Sequence, residues 1–295
     1  MSLGQLFAKP SRVVLLHYHI FKNAGSTIDF ALKQNFGDRL AYLHGDRFDS
    51  MVSNSALLDF LTKNPDVAAV SSHHLRPPKP AAEQFLLEDI LIFRHPLDRL
   101  RSMYDFYREA LVTDDPLTIE AKRRDLRSFS ELLVAEYPHL ASNSQVNYTA
   151  NQGGKIPDEA DCARSCAIAQ QAAVVGVTDQ FEKCMVTAEH RLRGHFPGLQ
   201  LSSAPRNVSR GRRKNLQQRL RAFEKACGSR LYNLLLESNK LDLKLVDTAR
   251  NEVETRFQQV PSAEAWLGHF KERVKKSDIM TVAFDHPHDF VRFIN

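Results

Sequence analysis

The chain contains no apolar stretch long enough to cross a membrane as a helix, and residues 1–10 carry no hydrophobic segment of the kind found in signal peptides. A soluble, cytoplasmic protein is therefore expected. Cysteine is scarce, with four in 295 residues. Cys162 and Cys166 would share one helix face, Cys184 and Cys227 fall in helical patterns, and no histidine stands beside them at ligand spacing. Buried free thiols are expected, and no zinc site. Nor is there an acidic motif suited to magnesium, an internal repeat or a low-complexity tract. Aromatic residues, 9% of the chain, lie in apolar runs and are not interleaved with basic clusters, so no nucleic-acid partner is expected.

What the chain does have is apolar content, 43%, enough for one sizeable α/β domain. Its 40 Lys and Arg against 35 Asp and Glu favour anionic ligands in general. Apolar, β-branched runs near residues 12–20, 67–72, 89–93 and 173–178 predict strands. They alternate with helical patterns near 26–35, 51–63, 97–110, 128–136, 181–195 and 214–258, the last interrupted around Gly228. Such alternation predicts an α/β fold, an open parallel sheet flanked by helices, with a helical C-terminal elaboration. The chain reads as a single domain over 1–295, with a core at about 12–258 and an extension over 259–295 of unknown role. Within that extension, residues 279–284 read as an edge strand. Residues 112–127 mix acids and bases without periodicity and read as a mobile loop, the alternative being a charged exposed helix.

Two segments carry chemistry. In the first, the strand pattern of residues 13–20 runs into Lys22-Asn23-Ala24-Gly25-Ser26-Thr27, a small-residue turn that opens an amphipathic helix. A strand, turn and helix in that order aim free backbone N–H groups and the positive helix end at whatever lies over the turn. Lys22 adds charge, the Ser26 and Thr27 hydroxyls add donors, and a phosphate suits the result. The turn is not a Walker A loop, because Lys22 precedes Gly25 by three positions where that pattern has lysine after its last glycine. In the second segment, a strand pattern ends at Arg94, Pro96 starts a helix, and Ser102 follows Arg94 by eight positions. Arg94 reads as a multi-donor anion clamp, with Ser102 projecting from the helix. Two such sites would suit a ligand with two separate phosphate ends. Between them the run at 67–72 ends at His73-His74. In an open parallel sheet all these strand ends share one edge, where an imidazole can take a proton near neutral pH.

The order His19-Ile20-Phe21-Lys22-Asn23-Ala24-Gly25-Ser26-Thr27 resembles the 5′-phosphosulfate loop of carbohydrate sulfotransferases, H-I-P-K-T-[AG]-[GS]-[ST]-[ST]. These enzymes use 3′-phosphoadenosine 5′-phosphosulfate (PAPS); Phe21 and Asn23 are departures from their pattern. The stretch from Arg94 through Arg99 and Ser102 to Tyr104 is similar throughout to their 3′-phosphate motif, R-[DNH]-P-x-x-R-x-x-S-x-Y. The resemblance is to the Golgi and bacterial branch, sulfotransferase family 2-like, and without an anchor a bacterial setting is implied. It implies a P-loop-like sheet and PAPS as co-substrate, bound by Lys22, Asn23, Ala24, Gly25, Ser26, Thr27, Arg94 and Ser102. It further implies a catalytic Lys22 that neutralises developing charge, a histidine base and no metal. His73 is the better match for the base and His74 the fallback, with Ser72 in place of the usual glycine. The acceptor would be a hydroxylated molecule, a sugar or glycolipid, with peripheral membrane contact and oligomeric state left open.

Weaker resemblances follow along the chain. Gly176, Thr178 and Phe181 echo a V-G-x-T-E-x-F segment, with Thr178 near the nucleotide or else a helix cap. Asn143-Ser144-Gln145 is similar to an N-x-Q element, and residues 239–245 to a closing N-x-[LFY]-D-x-x-L segment that reads as helix packing. The basic run at 206–214, with Arg210 and Arg212 leading, would close over the nucleotide, or else form a solvated loop. Two other classes stay open: a P-loop-like nucleotide kinase, and a basic nucleotide- or polyanion-binding protein without catalysis.

Overall fold

A computed structural model of the chain describes residues 12–47, 50–111, 114–150, 156–203 and 215–280, with side chains up to residue 276. Its strands are β1 (Arg12–Tyr18), β2 (Leu40–Tyr42), β3 (Ala69–Ser72), β4 (Phe85–Phe93) and β5 (Val174–Val177). They form one parallel sheet in the order β2-β3-β1-β4-β5. The central strands are covered on both faces, which is why β1 and β4 read as near-continuous apolar runs. β4 begins four residues before the expected 89, because two buried acids, Glu88 and Asp89, mask its first half. Asp89 accepts from Lys79 Nζ (2.6 Å) and from the Ala173 N–H (2.8 Å), while Glu88 meets His195 Nδ1 (3.0 Å). The three-residue β2 was not foreseen, being too short for any alternation to show.

The helices are α1 (Gly25–Phe36), α2 (Asn54–Lys63), α3 (Pro96–Glu109), α4 (Pro116–Arg123), α5 (Leu126–Glu136), α6 (Pro138–Ala141) and α7 (Ser144–Ala150). After these come α8 (Glu159–Gln171), α9 (Phe181–Leu192), α10 (Leu216–Cys227), α11 (Ser229–Ser238), α12 (Lys240–Gln258) and α13 (Ala263–Met280). The loop expected at 112–127 is corrected: it holds α4, which buries Leu117, Thr118 and Ala121. Asp115 caps α4 by accepting the Thr118 N–H, and Pro116 takes its first position; Asp125 caps α5 in the same way through Ser128. The expected helix over 214–258 breaks at Gly228, where φ is 80°, and again at Asn239. Ile279 and Met280 close α13 and do not open a strand, and residues 281–284 lie outside the described residues.

Two apolar clusters result. One surrounds the sheet with α1, α8, α9 and α12, and α12 packs on β5, α8 and α9. The other lies among α3, α4, α5, α10 and α11, with Leu97, Met103, Phe129, Phe223 and Leu235 inside it. The four cysteines are free thiols, three buried and Cys166 half-buried. Among the described residues no helix is long and apolar enough to cross a membrane.

Candidate active site

β1 and β4 lie side by side at the centre of the sheet, and the chain leaves β1 toward β3 but leaves β4 toward β5. The crevice beyond their carboxyl ends is the topological switch point of the sheet, where open α/β folds bind ligands. Registers of Tyr18 with Ser72 and Leu91, and of Phe93 with Val177, put His19, His73, Arg94 and Thr178 along one edge.

The turn after β1 has left-handed backbone at two non-glycine residues, Lys22 (φ 66°) and Ala24 (φ 65°), a conformation that persists only where its surroundings enforce it. Asn23 N–H donates to the Ile20 carbonyl (3.1 Å) and Thr27 N–H to the Ala24 carbonyl (3.0 Å). The N–H groups of Ala24, Gly25 and Ser26 make no hydrogen bond to the described residues. Three donors at the positive end of α1 are the donor set an anion needs. Lys22 Nζ lies 4.3 Å from the Phe106 ring centroid, a cation–π contact at the rim. Ser26 is half-buried and Thr27 buried. The Asn23 side chain is buried and donates through Nδ2 to the Ile92 carbonyl (2.9 Å) and to Gln145 Oε1 (2.8 Å).

The second motif is bonded directly to the first. Arg94, 4% exposed, donates from Nη1 to the Lys22 carbonyl (2.9 Å) and from Nε to Asp98 (2.8 Å). Arg99 donates to the Phe21 carbonyl (3.1 Å) and to Ser144 Oγ (2.7 Å). Ser102 is buried on α3, one turn beyond Asp98. Asp98 also accepts from Arg219 of α10 (2.8 and 3.1 Å); burial pushes its carboxyl up, but Arg94 and Arg219 outweigh this and hold it well below the usual range.

Gln145 underpins the arrangement. Its Oε1 accepts the Arg94 N–H (2.9 Å) and its Nε2 donates to the Arg94 carbonyl (2.8 Å), so a side-chain amide pairs with the backbone just beyond β4. Asp242 accepts the N–H groups of Gln145 and Val146, while Asn143 Oδ1 accepts those of Leu241 and Asp242. The N-x-Q element and the closing segment thus cap each other's helices. Thr178 does not act as a cap, since its Oγ1, like Gln180 Oε1 and His95 Nδ1, is buried without a partner among the described residues. Arg210 and Arg212 lie outside the described residues.

On the β3 side of the crevice the histidines collect. His17 in β1 and His19 just beyond its end each bring Nδ1 to within 2.8 Å of an Asp29 oxygen, and the Ser71 hydroxyl donates to Asp29 at 2.6 Å. Burial pushes Asp29 up, but the two histidines outweigh it and hold the carboxyl well below its usual range. The His73 ring lies 3.8 Å from that of His19, centroid to centroid, and 5.8 Å from that of His44. Burial and neighbouring His19 push His73 down to about 2, so the imidazole is neutral. His74 is engaged otherwise: its Nδ1 accepts the Gly45 N–H (2.7 Å). Ser72 caps this turn by accepting the N–H groups of His74 and Leu75.

His17, His19 and Asp29 are close enough to be considered for a metal ion. Nitrogen-to-oxygen distances of 2.8 Å are those of hydrogen bonds, however. Ligands about 2.0–2.1 Å from a tetrahedral ion stand about 3.3 Å apart. Together with the Ser71 bond, this makes the cluster a hydrogen-bonded network. Sequence reasoning passed over His17, Asp29, Asp98 and Arg219 and took His19 only as part of the loop pattern, although the alternation His17-x-His19 in an extended segment already puts both rings on one face.

No family model matches the chain. It is similar to a protein of Archaeoglobus fulgidus described only as uncharacterized, 27% identical over 244 residues that cover 80% of this chain and 95% of that protein.

Proposed function

We propose that this chain is a PAPS-dependent sulfotransferase that transfers a sulfuryl group to a hydroxyl of a carbohydrate or glycolipid acceptor. The observation that carries the reading is the bond between the two motifs, Arg94 Nη1 on the Lys22 carbonyl, at the switch point of the sheet. Two motifs some seventy residues apart, each suited to a phosphate, thereby become neighbours. The unsatisfied N–H groups of Ala24, Gly25 and Ser26 fit the 5′ end of the donor, with Lys22 and Ser26 beside them. Arg94 and Ser102 fit the 3′-phosphate, the group that distinguishes PAPS from ATP.

In this reading the acceptor oxygen attacks sulfur in line, the bond from sulfur to the bridging oxygen of the 5′-phosphate breaks, and its electron pair leaves on that phosphate. Lys22 and the loop N–H groups offset the charge that develops. The hydroxyl proton passes to a neutral imidazole, the role that the resemblance gives to His73, with His74 as the fallback. A bound anion beside His73 raises its affinity for the proton.

Calorimetric titration with adenosine 3′,5′-bisphosphate, run beside ADP, tests the reading. Tight binding of the bisphosphate with none of ADP is expected. A preference for ADP would return the chain to the kinase class, and binding of neither would remove the nucleotide site altogether.

A further inference from the structure

The resemblance leaves Phe21 unexplained, since it stands where the sulfotransferase pattern has proline. In the structure its ring packs edge-on against Phe106 of α3, with centroids 5.4 Å apart and planes at 84°. The Lys22 ammonium lies over both rings, 4.3 Å from the Phe106 centroid and 5.7 Å from that of Phe21. Both distances are within the reach of a cation–π attraction. The backbone that carries this lysine is held by the same motif, because Arg99 donates to the Phe21 carbonyl (3.1 Å) and Arg94 to the Lys22 carbonyl (2.9 Å). The second motif and its helix thus grip Lys22 at its carbonyl and at its ammonium. Phe106 also follows Ser102 by four positions, on the face of α3 that the proposed function gives to the 3′-phosphate. A lysine on its four-carbon stem is a mobile point charge, and meeting a phosphate costs it that freedom. Over two rings, part of the freedom is gone before the ligand arrives.

We propose that Phe106, with Phe21, is a positioning residue for Lys22: the two rings cradle the ammonium at the turn after β1, where the 5′ end of the nucleotide needs it. The inference rests on the sulfotransferase reading and gives a use to a residue that departs from the family pattern.

The test measures binding of adenosine 3′,5′-bisphosphate and of 3′-AMP, which differ by the 5′-phosphate alone. The proteins compared are wild type, Phe106→Leu, Phe106→Tyr, Lys22→Ala and the double variant that joins Phe106→Leu to Lys22→Ala. Wild type is expected to prefer the bisphosphate. Phe106→Leu keeps an apolar side chain without the ring, and should lose about threefold to tenfold in bisphosphate affinity while keeping its affinity for 3′-AMP. Phe106→Tyr, which keeps a ring, should lose less. Once Lys22 is alanine, Phe106→Leu should cost nothing further, because the ring acts through the ammonium. Phe21→Leu carries the same comparison if Phe106→Leu does not fold. An unchanged bisphosphate affinity in the leucine variant overturns the inference. So does an equal loss with and without Lys22, or a parallel loss of both ligands, either of which would mark a purely structural ring. A wild type that binds neither nucleotide, or both alike, overturns the sulfotransferase reading instead, and the cradle with it.

Discussion

His73 is the residue on which the chemical half of the proposed function turns. His73→Gln should lower turnover about a hundredfold or more while changing bisphosphate affinity little, because the imidazole acts on the acceptor and not on the nucleotide. Equal losses of turnover and nucleotide affinity would remove it as the base. The same ring has a signature in stability. Burial holds folded His73 down to about 2, whereas an unfolded histidine takes its proton near 6.5, so between those values the unfolded chain binds more protons. The contribution is whole above about pH 6.5 and is lost progressively as pH falls. His17 and His44, also lowered by burial, act in the same direction. Asp29, lowered by its histidines, adds a loss only once pH drops below the ordinary carboxylate range. The melting temperature should therefore fall between pH 7 and pH 5, and less steeply in His73→Gln; identical slopes would contradict the buried, neutral state of the ring.

At the scale of elements, the turn into α1 and the brace behind β4 carry the site, and each has one position where a small change is decisive. A Cβ built on Gly25 would stand 2.0 Å from His19 Cδ2 and 2.1 Å from Nε2, so the ring would have to move and its bond to Asp29 would break. Gly25→Ala should cost about 1–3 kcal/mol in denaturant unfolding and should impair turnover. A wild-type midpoint would show that the ring has another place to go. Gln145→Ala removes both bonds to the Arg94 backbone and should cost about 3 kcal/mol, since it strands a buried N–H and a buried C=O together. The turn itself was legible in the sequence, because lysine, small residues and hydroxyls at a strand end have a local meaning. The brace was not, because Gln145 bonds across 51 residues to Arg94 and 97 to Asp242, and only the fold brings these together. Residues 112–127 were misread for a different reason. Their polar face outweighed Leu117 and Ala121 in the pattern, although Asp115-Pro116 and Asp125 with Ser128 are helix-start signals that the sequence does contain.

For the molecule as a whole, the sheet cluster and the cluster among α3, α4, α5, α10 and α11 meet at the candidate site, where polar groups do the joining. Arg94 and Arg99 run from the second motif to the carbonyls of the first. Alternating patterns foretold the parallel sheet and its flanking helices. The division into two clusters has no such mark, since α10, α11 and α12 follow one another with similar apolar spacing and part company only at Gly228 and Asn239. A ligand held by the β1 turn at one end and by Arg94 and Ser102 at the other would touch both clusters, and its binding free energy would tie them together. At about one hundred times its dissociation constant, adenosine 3′,5′-bisphosphate should add about 2.7 kcal/mol to the unfolding free energy. Hydrogen exchange then tells where the effect reaches. Protection should rise in the first turns of α1 and α3 together, with α8 and α9 unchanged, because in the proposed reading only the first two present groups to the phosphates. Protection confined to α1 would mean that the ligand engages one phosphate site alone, and the reading of two phosphate ends spanning the switch point would fail.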